Sequence, residues 1–427
     1  MEHGGLFIQK DGTRRVRTGQ KGDRLMERIT YKQQKELMDY AIGHEIPLAK
    51  MLSDRGLDYN ALVYADESRM ADFSFPDFVP VDEREAVAHG IPCVSFFSGA
   101  GGLDIGFRYA GFETLAFVEI NKMFCDTLRA NGAKKVLGPP DFPGNMQDYD
   151  AIIARLEAEG IQRNFPGVFH GGPPCQSFSI AANQRFSKSG NNFKRTGFLH
   201  EKYGNLLFCY VRVITHFLPE TFLIENVDGL LTVDGGKQVR NVCRRLREFG
   251  YEVAEPDVVD AADFGVPQKR MRTLIVGSRR GKFLFPQKIK TRFPAGSAFK
   301  KPLQTRESNI PRNHKAESVK RYMVLGFGQR DKLGRVDRID PNLPSKTIIA
   351  GGTGGGGRSH LHPFIPRTMT VRECARLQTF PDSYTFTGPM ARQFTQVGNA
   401  VPPLLGYKMA CAIYQSVYER NLSRAAS

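Results

Sequence analysis

From about residue 92 the chain settles into short apolar runs separated by amphipathic stretches. VSFF (94–97), TLAFVEI (114–120), GVFHGG (167–172), TFLIENV (221–227), EVAEPDVVD (252–260) and TLIVGS (273–278) have the length and composition of buried strands. LLFCYVRVITHF (206–217) and VRNVCRRLREFG (239–250) carry apolar residues at helical spacing between them. Buried strands alternating with helices predict an α/β fold, a largely parallel sheet with helices on both faces. Another helical run closes the chain at 403–420.

Ahead of the sheet, residues 30–72 read as helical, because Leu37, Tyr40 and Ala41, then Leu48, Met51 and Leu52, recur at helical spacing. Residues 1–25, rich in Gly, Lys and Arg, read as a flexible arm, and 73–90 as a linker with Pro and acidic residues. Residues 279–367 break the strand–helix rhythm: they are strongly basic and include GGTGGGG (351–357). Four parts are therefore expected. They are a basic arm with a helical extension (1–86), the sheet domain (87–279), a smaller basic domain (280–390) and a segment returning to the sheet domain (391–427).

Composition narrows the picture further. A formal charge of +16 over 427 residues points to a polyanionic partner, nucleic acid first and an anionic membrane surface second. The seven cysteines are scattered with no C-x-x-C pair, which argues against a disulfide framework and against a zinc or other metal site, and suits a reducing cytosol. The polar, basic N-terminus is not a signal peptide, and no apolar run approaches the roughly 18 residues needed to span a bilayer. A cytoplasmic monomer is expected.

Five stretches carry candidate chemistry. FFSGAGGLDIGF (96–107) follows a strand and opens a helix, and its glycines let the backbone approach a ligand closely. Glu119 ends the next strand, where a carboxylate can accept hydrogen bonds from ribose hydroxyls, so the two together read as a nucleoside-cofactor site. GGPPCQSFS (171–179) sets Cys175 in a stiff turn at the carboxyl end of a strand, where a stabilised thiolate can act as a nucleophile. IENV (224–227) puts Glu225 at another strand end. In DFGVPQKRMR (263–272), Gln268, Arg270 and Arg272 alternate and would share one face of an extended segment. TVRECARLQTFPD (370–382), followed by QVGNAVPPLLG (396–406), also reads as an amphipathic helix with Val371, Cys374 and Leu377 buried. Taken singly, each stretch has a structural reading as well: a tight turn, a buried cysteine, a surface ion pair, a packed helix.

In their order, FFSGAGG, Glu119, PPCQSFS, ENV, QKRMR, RECARLQTFPD and QVGNAVPP resemble the cytosine-5 DNA methyltransferases over about residues 92–415, as in bacterial restriction–modification methylases. The resemblance implies a Rossmann-like methyltransferase sheet with a smaller target-recognition domain. It implies S-adenosylmethionine as cofactor, held by Phe97, Gly99, Gly101, Gly102, Glu119, Ile120, Asp148, Leu206 and Asn399. It implies Cys175 as nucleophile, with Glu225 and Arg272 gripping the cytosine ring, Arg270 beside them and Asn226 orienting the loop. The loop 176–205 would close on double-stranded DNA, with Gln176, Arg185 and Lys188 as candidate contacts. A companion restriction endonuclease acting on the same site would be a partner. Ser95 stands where relatives often have aspartate, and Ile120 is not aromatic. An RNA methyltransferase and a non-catalytic DNA-binding regulator are the alternatives, the second disfavoured by an intact Cys175, Glu225 and Arg272. For residues 1–86 two readings stand open. One is a helix-turn-helix hinged at Gly43 that presents Lys50 and Arg55 to DNA; the other is a helical extension packed on the catalytic domain.

Overall fold

A computed structural model describes residues 7–8, 14–15, 28–66, 73–78, 80–84, 88–174, 206–301, 303, 308–334, 336–350 and 360–419. The chain divides into two units. One comprises Val79–Arg292, Tyr384–Thr387 and Ala400–Ser427, and the other Met1–Phe78, Phe293–Ser383 and Gly388–Asn399.

The first unit is built on one sheet. Its strands are β1 (Pro92–Phe96), β2 (Glu113–Val118), β3 (Val136–Leu137), β4 (Val168–Gly171), β5 (Thr221–Val227), β6 (Glu252–Val253), β7 (Asp257–Asp260) and β8 (Met271–Ser278). They lie in the order β3-β2-β1-β4-β5-β8-β6, with β7 also paired to β8. Pairings from β3 to β5 are parallel, and those of β8 with β5, β6 and β7 are antiparallel. The expected largely parallel sheet is therefore present. One strand expectation needs correction: 252–260 is two short strands, not one. Residues 254–256, ending in Pro256, interrupt it, since proline cannot donate to a ladder.

The helices of this unit are α1 (Gly102–Tyr109), α2 (Lys122–Ala130), α3 (Tyr149–Ala158), α4 (Leu206–Phe217), α5 (Lys237–Glu248) and α6 (Pro403–Ile413). Side chains alternate across the strands and so feed two cores. Val94, Phe96 and Phe169 pack with Ile152, Tyr210 and Leu246 from α3, α4 and α5. On the opposite face the His170 ring stacks on Phe107 of α1, centroids 4.1 Å apart. The α1 and α6 backbones cross at Gly106, where a Cβ would lie 2.3 Å from the Tyr407 nitrogen.

In the second unit the helical stretch expected over 30–72 is broken within its described part, 30–66, and 67–72 lie outside the described residues. It consists of Tyr31–Gly43, with a Thr30/Gln33 capping box, then Leu48–Ser53 and a 3-10 turn at Tyr59–Ala61. The helix Val371–Leu377 buries Val371, Cys374 and Leu377 as its pattern predicts. Thr370 and Glu373 form its capping box, and Glu373 is also held by Arg367 through Nη1–Oε2 at 2.9 Å and Nη2–Oε1 at 2.7 Å. Burial would raise the Glu373 carboxyl, but Arg367 outweighs it and holds the group at about 2. A carboxylate depressed this way adds stability above its unfolded pKa near 4.3, and that stability is lost as pH falls towards 2. Arg367→Ala strands a buried charge and is expected to destabilise this unit by about 3–5 kcal/mol at pH 7. Denaturant titrations at pH 7 and pH 3 check this: the gap between wild type and variant should shrink at pH 3, and an equal gap at both would refute the ion pair as its source.

Candidate functional site

The chain runs from β1 outward through β2 to β3, then returns to the other side of β1 for β4 and β5. The order of an open parallel sheet thus reverses between β1 and β4, and ligands bind in the crevice outside the carboxyl ends of strands at such a point. The two stretches singled out for chemistry follow these two strands, with Phe96 of β1 opposite Gly171 of β4.

After β1 the backbone turns back on itself through left-handed residues: Phe97 (φ 51), Gly99 (φ 55) and Gly101 (φ 75). For Phe97 this conformation is uncommon. Its ring packs against the core and meets Tyr210 edge-on at 5.8 Å, and Leu206 of α4 belongs to the same core. Gly101 and Gly102 lie where α1 begins, and a Cβ on Gly101 would come 2.8 Å from the Tyr384 hydroxyl. Glu119 locks the loop. Gly99 N–H donates to its Oε2 and Asn121 N–H to its Oε1, both at 2.8 Å. Burial pushes this carboxyl above the usual carboxylate range, against the pull of those donors. Ile120, next in the chain, is 54% exposed, so an aliphatic surface lies open beside the carboxylate.

Asp148 is exposed and caps α3, accepting from Ala151 N–H at 3.2 Å. Gly144 is nearer the loop, because a Cβ there would lie 2.3 Å from the Glu119 carbonyl oxygen. Its neighbour Asn145 is a site candidate that the sequence reading passed over, its signal being only a glycine three positions before the Gln147–Asp148 pair. Asn399 ends the helix Met390–Asn399 in the other unit and is exposed.

Beyond β4 the described chain reaches Pro174. Cys175, Gln176, Arg185 and Lys188 lie outside the described residues. What flanks them is defined. Asn226 Nδ2 donates to the Pro173 carbonyl at 3.2 Å, and Asn226 Oδ1 accepts from Val227 N–H at 2.9 Å, tying the start of the loop to β5. Glu225 is 8% exposed, and Arg272 Nε lies 2.6 Å from its Oε1. This pair exists because β8 runs antiparallel to β5, placing Arg272 opposite Val227 and Leu274 opposite Glu225. The alternation read along 268–272 is present: Gln268 and Arg270 are buried and Arg272 half-buried, while Lys269 and Met271 face out. Arg270 N–H donates to Asp260 Oδ1 at 2.9 Å. A second residue missed from sequence is Gly172, where a Cβ would sit 2.7 Å from Glu225 Oε2. Any side chain there would push the carboxylate from its place. Beneath the same edge, His170 Nε2 lies 3.8 Å from Asp104 Oδ1, and burial lowers the histidine to about 3 and raises the aspartate to about 7.

Much of the basic charge near 280–320 is already engaged inside the protein. Arg280 pairs with Glu220 at 2.7 Å, and Lys288 with Asp263 at 3.2 Å. Arg292 Nε donates to Asp263 at 2.8 Å and Lys300 Nζ to Asp77 at 2.7 Å. Among the described residues no helix is long and apolar enough to cross a membrane, and no cluster of three or more His, Cys, Asp or Glu could hold a metal ion.

Comparison with known proteins bears directly on this arrangement. The family described as C-5 cytosine-specific DNA methylase matches residues 91–415. The Type II methyltransferase M1.HphI of Haemophilus parahaemolyticus is 34% identical over 342 residues, covering 75% of this chain and 86% of that protein. The Type II methyltransferase M.Eco47II of Escherichia coli is 30% identical over 401 residues, covering 85% and 89%. Among solved structures, a prophage-encoded protein from E. coli superposes with a TM-score of 0.60 at 23% identity, covering 77% of this chain and 100% of that one. The Entamoeba histolytica methyltransferase EhMeth superposes with a TM-score of 0.55 at 15% identity, covering 76% and 98%. These two structures share the fold.

Proposed function

This chain belongs to the C-5 cytosine-specific DNA methylases, and from that premise we propose that it methylates carbon 5 of a cytosine flipped out of a specific double-stranded DNA sequence. S-adenosylmethionine would be the methyl donor and Cys175 the covalent nucleophile. The observation that carries this reading is the convergence at the β1/β4 switch point. The glycine loop, Glu119, the Pro-Pro turn before Cys175 and the Glu225–Arg272 pair all end at one sheet edge.

The residues fit the cofactor's chemistry. The Glu119 oxygens accept from backbone N–H groups, among them Gly99 and Asn121, and a carboxylate's roughly four acceptor sites leave room for a ribose hydroxyl. Exposed Ile120, with half-buried Phe97, offers apolar surface to an adenine ring, and Leu206 would be a lesser contact near the methionine end. We place Asn145 closer to that ring than Asp148, whose carboxylate is used as a helix cap. When bound, the cofactor supplies a methyl group on a sulfonium.

The protein's own residues do the rest. A stacked base is out of reach, so the cytosine must leave the duplex, at a cost of a few kcal/mol. The Cys175 thiolate adds to carbon 6, and the ring electrons displaced by that attack make carbon 5 nucleophilic. Glu225 neutralises the charge building at ring nitrogen 3, while Arg272 binds the 2-carbonyl oxygen. Asn226 holds the turn that leads to the thiol, and buried Arg270, tied to Asp260 through its backbone N–H, would stand beside the pair. Once carbon 5 is methylated its proton passes to water, and the thiolate leaves as the double bond re-forms. The loop with Gln176, Arg185 and Lys188 would track the DNA backbone, and residues 280–390 would read base edges. By analogy with its Type II relatives, a restriction endonuclease with the same recognition sequence is the proposed companion.

Methyl transfer from labelled cofactor to duplex DNA, to tRNA and to no acceptor tests the proposal. Label should enter duplex DNA alone, and bisulfite sequencing of DNA from expressing cells should show one protected motif. Label entering tRNA instead would move the substrate to RNA.

A further inference from the structure

The N-terminal helices are not a separate body. Met38, Ala41, Met51 and Leu52 share one buried apolar cluster with Val319 and Met323, and Gln34 Nε2 contacts Met323 Sδ, 289 positions on, at 3.1 Å. The main chain joins as well, through Ala65 N–H to the Met323 carbonyl at 2.9 Å. Arg338 is fully buried, its guanidinium between the rings of Tyr64 (3.5 Å) and Phe327 (3.9 Å). Asp66 supplies its carboxylate partner, with both oxygens 2.9 Å from Nη1. Arg367 Nε donates to Asn60 Oδ1 at 2.9 Å.

Without residues 28–66 the later segment would lose one side of the cluster that buries Val319 and Met323, and buried Arg338 would lose its carboxylate partner and one of its two flanking rings. Opening that face of the core and removing the partner of a buried charge would loosen the later segment. The N-terminal helices also lack the look of a DNA-reading surface. Residues 28–66 carry five Lys or Arg against six Asp or Glu. The would-be recognition helix Leu48–Ser53 has six residues, with Leu48, Met51 and Leu52 buried.

We infer that residues 28–78 are the scaffold half of the target-recognition domain, which is assembled from both sides of the catalytic sequence. Sequence specificity therefore belongs to the pair 28–78 and 293–383 taken together. This rests on the proposed reading that the later segment contacts base edges.

Full-length Met38→Asp and the milder Asp66→Ala test it. Limited proteolysis mapped by mass spectrometry should show cleavage within 308–350 at least tenfold faster than in wild type. Affinity for the methylated motif should fall at least tenfold, with S-adenosylmethionine affinity within twofold. Unchanged proteolysis in both variants overturns the composite domain. Faster proteolysis with unchanged motif affinity overturns instead the assignment of recognition to 293–383. Lys50→Glu combined with Arg55→Glu should leave DNA affinity within twofold, and a tenfold loss would show that these helices contact DNA directly rather than serving as scaffold.

Discussion

Cys175→Ser is expected to lower methyl transfer by at least about 10³-fold while DNA and cofactor binding persist, since the attacking group is lost and its binding neighbours are kept. A thiol with a pKa near 8.5 supplies some thiolate at neutral pH, and a serine hydroxyl supplies essentially no alkoxide. No general base stands in the described surroundings of the turn to compensate: Asn226 holds the Pro173 carbonyl, and Glu225 is engaged with Arg272. The same chemistry gives a qualitative signature. A duplex carrying 5-fluorocytosine in the target position should trap wild-type protein as a covalent adduct, because fluorine cannot leave as a proton does. An adduct that survives denaturing electrophoresis is the readout, and the same adduct with Cys175→Ser would remove Cys175 from its role.

Glu225→Gln and Arg272→Ala should each cost about 10²–10³ in kcat, the usual loss when one preorganised group facing developing charge is removed. Their effect on cofactor affinity should be small, because both sit on the β5/β8 pair, whereas the glycine loop and Glu119 belong to β1 and β2. The two substitutions should not be additive. Glu225 and Arg272 are 2.6 Å apart, so removing either releases the other from its orientation, and the double variant should lose less than the product of the two. Gly172→Ala provides a control that leaves both charges intact: its methyl group would press on Glu225 Oε2 and should lower kcat with little change in the KM for S-adenosylmethionine. Single-turnover rates with equilibrium cofactor binding decide the matter, and a variant that binds cofactor poorly yet turns over normally would reassign the roles.

Local pattern along the chain is enough to place the six apolar runs in strands, the glycine turn after one of them, Glu119 at the end of the next and Cys175 after a stiff turn. Each of these follows from residue types within a few positions of one another: side-chain period, proline stiffness, glycine's tolerance of left-handed backbone. The family resemblance likewise rests on short blocks in fixed order. Even the split of 252–260 at Pro256 has its cause in view in the sequence. What local pattern does not contain is pairing. Nothing within TFLIENV or QKRMR says that β8 runs antiparallel to β5, yet that register alone brings Arg272 to Glu225. Gly172 looks like one more turn residue until the fold sets Glu225 against it, and Asn145 looks less apt than Asp148 until Gly144 is found against Glu119. Basic residues from 280 onward look like a DNA-binding run, but several are spent on acids far away in the chain. The N-terminal helices show amphipathic faces in the sequence without any mark of what covers them. Only the assembled chain shows Met38 sharing a core with Val319 and Met323, and Asp66 against Arg338, because an apolar face specifies that it must be buried and not by which partner.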